Sequence, residues 1–233
     1  DITAMSIQGE PATFDDPSPD QIKAVAAFLA LMRTRGSLAG ADLRGLDLRH
    51  QNLQGIVLTG ANLSGINFTN VDLTGANLSG ANLRRAVFKH ARLCGATLSG
   101  ADMFSTIMRH ANLSDATLSQ AILYRADLSL ANLHGMKASS ADMRFAKLGR
   151  SILTGAILSR ADLSAADLTG SNLAGSDLGA ISLSGATLVD AVLTGSDLRW
   201  ANLTHANLTG AVLTGAIYDD ATRWPQDFPP PKR

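Results

Sequence analysis

The chain repeats every five residues, and a period of five suits neither an α-helix nor a flat β-strand. From Ala41 to Gly215 it divides into 35 consecutive pentads without an insertion. The third place is Leu in 29 of them, the exceptions being Phe68, Phe88, Met103, Met108, Ala138 and Met143, and the first place is Ala in 23. The second place is often Asp, Asn or Val, the fourth Ser, Thr or Arg, and the fifth Gly. Such self-similarity outranks local propensity. On a helix, leucines five apart step by ~140° and make no apolar stripe. On a flat strand an odd period throws successive leucines onto opposite faces. All of them can point inward only if the chain bends once per pentad. First and third places then share the inner face, the other three look outward, and the fifth takes the bend, where Gly, Asn and Asp are tolerated. The pattern predicts a bent β-solenoid filled by Ala and Leu.

Pentads such as "ADLRG" at Ala41 and "AVLTG" at Ala211 resemble those of the pentapeptide-repeat family, over about three quarters of the chain. The resemblance implies an all-β solenoid, a right-handed quadrilateral β-helix with four pentads, or twenty residues, per coil. Thirty-five pentads then make about nine coils, and at ~4.8 Å per coil a rod ~43 Å long. Departures at inward places are few. Met136 is large where Ala is expected and Ala138 small where Leu is expected, so their volumes offset one another in a close-packed interior. Thr106, Gln51 and several serines at first places are expected to bond to the coil backbone.

A rod of stacked coils leaves an open backbone edge at each end unless something covers it. Residues 1–17, with two prolines and several Asp, read as an irregular arm. Residues 18–36 read as a capping helix, with Ser18 at the N-cap, Gln21 three residues on, Pro19 in the first helical position and Gly36 past the end. Ile22, Val25, Ala26, Leu29 and Met32 recur at helical spacing and predict its apolar face. The repeat domain is expected over 41–220 and a Pro-rich C-terminal cap over 221–233, similar to the closing segment of many bacterial members of the family. There Trp224 and Phe228 can cover the last coil, while Pro225 and Pro229 to Pro231 cannot donate ladder hydrogen bonds.

Composition restricts the chemistry. Twenty basic residues balance twenty acidic ones, and Cys94 is the single cysteine, so no internal disulfide is possible. No run of 18 apolar residues and no signal peptide is visible, which favours the cytoplasm, although a chain opening at Asp1 leaves room for a missing leader or further domain. The predicted interior holds no Asp, Glu, Lys, Arg or His, so it offers neither a cleft nor a tuned acid or base. No enzyme activity, cofactor or metal is expected. Cys94 falls at an outward fourth place near His90 and Arg92 and reads as an incidental surface thiol.

Twenty-residue stacking turns sequence positions into columns. One outer column runs Arg44, Ser64, Arg84, Phe104, Tyr124, Arg144, Ser164, and its neighbour runs Gly45, Gly65, Arg85, Ser105, Arg125, Phe145, Ala165. Arg84, Arg85, Phe104, Tyr124, Arg125, Arg144 and Phe145 thus predict a partner-binding patch, rich in the residue types that dominate interfaces. The mutual repulsion of its arginines argues that it is not kept for stability alone. A secondary strip combines Arg49, His50, Lys89, His90, Arg109, His110 and Arg150 and reads as basic and partly pH-sensitive, its charge repelling a metal ion. Residues 84–150 hold ten Lys or Arg against four Asp, and residues 161–215 five Asp against one Arg.

The reading that follows is a non-enzymatic scaffold presenting a rigid surface to a protein partner. An alternative comes from the family, some of whose members are DNA mimics that bind type II topoisomerases and protect against gyrase-targeting drugs. Those carry strongly negative surfaces, whereas this repeat has 14 basic and 12 acidic residues. Nucleic-acid binding by the basic middle coils, with Phe104 and Tyr124 as stacking platforms, is a third reading, disfavoured by the neutral total. A homodimer through an end cap is a further expectation.

Overall fold

The computed structural model describes residues 18–231, with the side chains of 32–35 left aside. The arm expected over 1–17 lies outside the described residues, as does the side chain of Met32.

Each pentad is half extended segment and half turn. The second places carry isolated parallel bridges to the residue twenty further on, from Asp42↔Asn62 to Asp197↔Ile217. Four pentads therefore close one coil, and four bends give it four sides. The backbone donors of a pentad are almost fully accounted for. In the pentad at Ala41, the first N–H closes a turn onto Leu38. At Asn62 the second N–H bonds the Ala41 carbonyl of the coil before, and at Leu43 the third bonds the Asn62 carbonyl of the coil after. The fifth also reaches onward, as Gly65 does to Arg84. That leaves the fourth, and here the second-place side chain intervenes. The Arg44 N–H donates to Asp42 Oδ1, the Thr69 N–H to Asn67 Oδ1, and the Ser164 N–H to Asp162 Oδ1. The Asp and Asn residues that simply face outward in the sequence reading are clasps on their own turns.

The first-to-third-place hydrogen bond spans a four-residue turn with the fifth place as its third residue, and φ there is positive at all 35 fifth places. That is the type II requirement, met by Gly without strain. Nineteen of these places hold another residue, including Leu130, Phe145 and Trp200 at φ of 63°, 58° and 64°. None is β-branched, the class for which this region is most hostile. Gly80, at φ 63° with open space where a Cβ would stand, isolates the backbone effect. Gly80→Val is expected to cost about 1–2 kcal/mol or somewhat more in chemical denaturation, without any clash. Unchanged stability would mean the turn can relax.

The interior is a solid column of Leu and Ala, with Phe68 and Phe88 stacked at 4.9 Å. Met136 and Ala138 are both fully buried, as the volume exchange requires. Thr106, Ser151, Ser171, Ser176 and Ser196 are buried, and each hydroxyl donates to the third-place carbonyl three residues before it. Gln51 bonds the Arg49 carbonyl from a half-buried position.

The ends differ from expectation in detail. Helix α1 (Pro19–Arg35) opens with reciprocal bonds between Ser18 and Gln21 and is followed by Gly36 at φ 67°. Its contact face is centred on Phe28, fully buried, with Ala24, Val25, Leu29 and Leu31 packed against the core. Ile22 is 57% exposed and Ala26 is exposed, so the predicted stripe is rotated towards the largest apolar side chain, which gains most from burial. The coil ladder starts one pentad before Ala41, where Leu38 and Gly40 bond Val57 and Thr59. At the other end it runs to Arg223, which pairs with Asn202 at an offset of 21. Asp219 accommodates the extra residue by accepting the Trp200 and Ala221 N–H groups, and Tyr218, Trp224 and Phe228 pack in sequence over the last coil.

Candidate functional site

The predicted patch assembles along one corner of the solenoid. Phe104 and Tyr124 stack face to face at 5.8 Å with ring planes 5° apart, and Phe145 meets Tyr124 edge-on at 5.4 Å. The Arg84 guanidinium lies over Phe104 at 4.3 Å, and those of Arg144 and Arg125 lie over Tyr124 at 5.4 and 5.5 Å. The order along the corner is thus guanidinium, ring, ring, guanidinium, over four successive coils.

Carboxylates hold the two ends of this stack, and they correct the repulsion argument for Arg84 and Arg144. Asp102 accepts the Phe104 N–H and also an Arg84 bond at 2.8 Å, positioning both partners of that contact. Asp142 clasps Arg144 through both oxygens at 2.8 Å, and Asp162 lies 3.8 Å from the same guanidinium. The Arg144 hydrogen bond holds the Asp142 carboxyl below its usual range, and the same bond raises the Arg144 guanidinium. Arg84 and Arg144 are therefore neutralised locally and separated by two rings, so they do not repel one another appreciably. Such exposed pairs add little stability but do order the side chains.

What remains outward is the fifth-place column. Phe145 is 49% exposed, Arg85 and Arg125 are exposed, and neither arginine has a carboxylate within ion-pair distance among the described residues. Phe104 and Tyr124 are half-buried, their faces covered by each other and by the guanidinium groups. Sequence reasoning passed over Ile122, exposed two places before Tyr124, and the positioning carboxylates Asp102 and Asp142. The Asp-x-Arg spacing at 142–144 was the available signal for the last.

The secondary strip is only partly brought together. His90 and His110 stack at 4.9 Å with planes 7° apart. Lys89 and Arg109 flank them, with Arg109 3.4 Å from Asp127, and Arg150 lies beyond Leu130 in the histidine column. Asn70 separates His50 from the pair. His50 and Arg49, the latter held by Asp47, instead line a groove of about 340 Å³ against Gln21, Ile22 and Val25 of α1. Among the described residues no cluster of His, Cys, Asp or Glu suits a metal ion, and no helix is long and apolar enough to cross a membrane.

Comparison with known proteins agrees with the geometry. A family model for pentapeptide repeats matches in overlapping stretches over residues 37–179 and again over 181–217. The chain is similar to HetL from the cyanobacterium Nostoc sp. strain PCC 7120, a pentapeptide-repeat protein involved in heterocyst differentiation regulation: 32% identity over 84% of this chain and 93% of that one, with a TM-score of 0.38. It is also similar to full-length QnrB1, a plasmid-mediated fluoroquinolone resistance protein, at 18% identity over 75% of this chain and 92% of that one, TM-score 0.39. No curated protein sequence matches. With the repeat matched over most of its length and the coils from Asp42 to Ile217 closed by four pentads each, the chain belongs to the pentapeptide-repeat family.

Proposed function

We propose that the protein is a non-enzymatic interaction scaffold and that the corner bearing Phe104, Tyr124 and Phe145 is its contact surface for a protein partner. The observation that carries this reading is the pre-ordered stack of two rings between two carboxylate-anchored arginines. Side chains already held in one arrangement lose little freedom on binding, and aromatic and Arg anchors are where interface energy concentrates. Arg85, Arg125 and Phe145 supply the outward charge and apolar area, which fits a partner surface combining apolar groups with carboxylates. The capping role of α1, the nine-coil length and the Pro-rich end cap belong to the same reading, since a rod that stays monomeric needs both edges covered.

The charge pattern argues against the two other readings. Counterion release on a nucleic acid draws on unpaired cations, and the pairing of Arg84, Arg109 and Arg144 reduces the free positive charge of the middle coils. The rings that would stack on bases already cover one another. A DNA mimic requires a continuous anionic surface, whereas Asp42, Asp47, Asp142 and Asp197 each bind the arginine two residues on.

Alanine at both Phe104 and Tyr124 is expected to remove from an affinity capture those host proteins that the wild type and a Thr117→Ala control retain, with all three melting at similar temperatures. Retention of the same proteins by the double variant sinks the assignment of this corner.

A further inference from the structure

A second surface lies on a different corner, near the C-terminal end, and is independent of the one above. Trp200 is 68% exposed, more than any other large hydrophobic side chain among the described residues. It sits in a left-handed fifth place at φ 64°, where Gly is the unstrained choice. The columns explain why it stands clear. One coil before Arg199 and Trp200 come Gly179 and Ala180, so the indole has no side chain of its own size to stack on. Tyr124, by contrast, is met by two rings and two guanidinium groups. The missing side chains leave a recess of about 350 Å³ lined by Trp200, Arg160, Asp177, Gly179, Asp197 and Arg199.

The charges around this recess favour a cation. Arg199 is bound through both oxygens of Asp197, which raises the guanidinium, and Asp219 and Asp177 act on it in the same direction. The lining itself is balanced, Arg160 and Arg199 against Asp177 and Asp197, and Asp219, which acts on Arg199 from beside the recess, adds a third carboxylate. Asp219 is fixed beside Trp200 because it accepts the backbone N–H of that residue. An aromatic face beside surplus carboxylate is the arrangement that binds ammonium and guanidinium groups.

We propose that this recess receives the Lys or Arg side chain of a basic segment in a partner protein, held between the indole of Trp200 and Asp177. Asp177 and Asp197 share the Trp200 side of the rod and Asp219 follows beyond them, a row of carboxylates that draws in a segment with several cations rather than a single small one.

The probe is an octapeptide of alternating Arg and Gly, titrated at low salt against the intact chain, with a Glu and Gly octapeptide and tetramethylammonium as separate arms. Binding is read from tryptophan fluorescence and, independently, calorimetry. The other tryptophan, Trp224, packs between Tyr218 and Phe228, so a shift on binding reports chiefly on Trp200. The Arg peptide is expected to bind, Trp200→Ala to weaken it about tenfold, and Trp200→Phe to retain much of the affinity. Asp177→Asn is expected to weaken it several-fold as well. Trp200 is outside the core, so its replacement leaves the fold intact, as circular dichroism will check. Equal binding by Trp200→Ala, or equal binding of the Glu peptide, overturns the proposal. Tetramethylammonium binding as tightly as the Arg peptide overturns the assignment to a protein segment. Because Phe104 and Tyr124 lie elsewhere, their double alanine variant should bind the Arg peptide normally, which separates the fate of this site from that of the first.

Discussion

Phe88→Ala is expected to lower the unfolding free energy by about 3–5 kcal/mol, the range for a large aromatic truncated in a rigid core. Phe88 is fully buried and stacks on Phe68, with Met108 next in the same inward column. The coil around it cannot collapse into the void, because both neighbouring coils hold it through the backbone ladder at every side. In a solenoid each coil is stabilised chiefly by its neighbours, so the damage should also be local. Hydrogen exchange should speed up most in the coils on either side of residue 88, and chemical denaturation should show an early phase or reduced cooperativity. Phe104→Ala makes the contrast: the same deletion at a half-buried outward place should cost under ~1.5 kcal/mol. Equal losses at the two positions would contradict the inward and outward assignment.

Deleting one whole pentad, residues 111–115, is expected to abolish partner capture at the Phe104 corner while leaving a folded rod. No side chain of the patch is removed. The pentads are near-equivalent in their inward places, so the chain downstream can advance by one side of the square and still present Ala and Leu to the core. The outward columns do not survive that shift. Tyr124 would follow Phe104 by 15 residues instead of 20 and fall on the adjacent corner, away from both Phe104 and Arg84. Deleting a full coil upstream, residues 61–80, keeps every later column in register and should preserve capture, at the cost of Phe68 and its stack on Phe88. A pentad deletion that still captures the same proteins would show that the corner geometry is not what binds. Removing a single residue, by contrast, would reverse the inward and outward alternation and is expected to prevent folding of the coils beyond it.

These two results test different parts of what the sequence made legible. The inward pattern was readable because it obeys one rule at every step, and the structure places every inward Leu in the core. The stack of Phe104 on Tyr124 was readable once a twenty-residue coil was assumed, since a fixed offset in sequence becomes a fixed distance in space. The helix face was misjudged because helical spacing alone offers overlapping stripes, and only the shape of the first coil selects the one with Phe28 at its centre. The repulsion argument failed for Arg84 for a related reason. Arg84 meets Asp102, one coil on and two pentad places back, and only the coil brings them to 2.8 Å.

By itself the sequence determined the bend at every fifth residue and the identity of the core, because a strict period leaves a single way to bury 29 leucines, and the outer columns followed once the family resemblance supplied a twenty-residue coil. Tertiary structure alone decided how those columns behave. It showed which cations are neutralised by a carboxylate on the next coil, which rings are covered, and that Trp200 stands beside a recess left by Gly179 and Ala180. The period and the twenty-residue coil together dictate which residues are neighbours. Rotamers, charges and the presence or absence of a side chain beneath decide what the neighbours do.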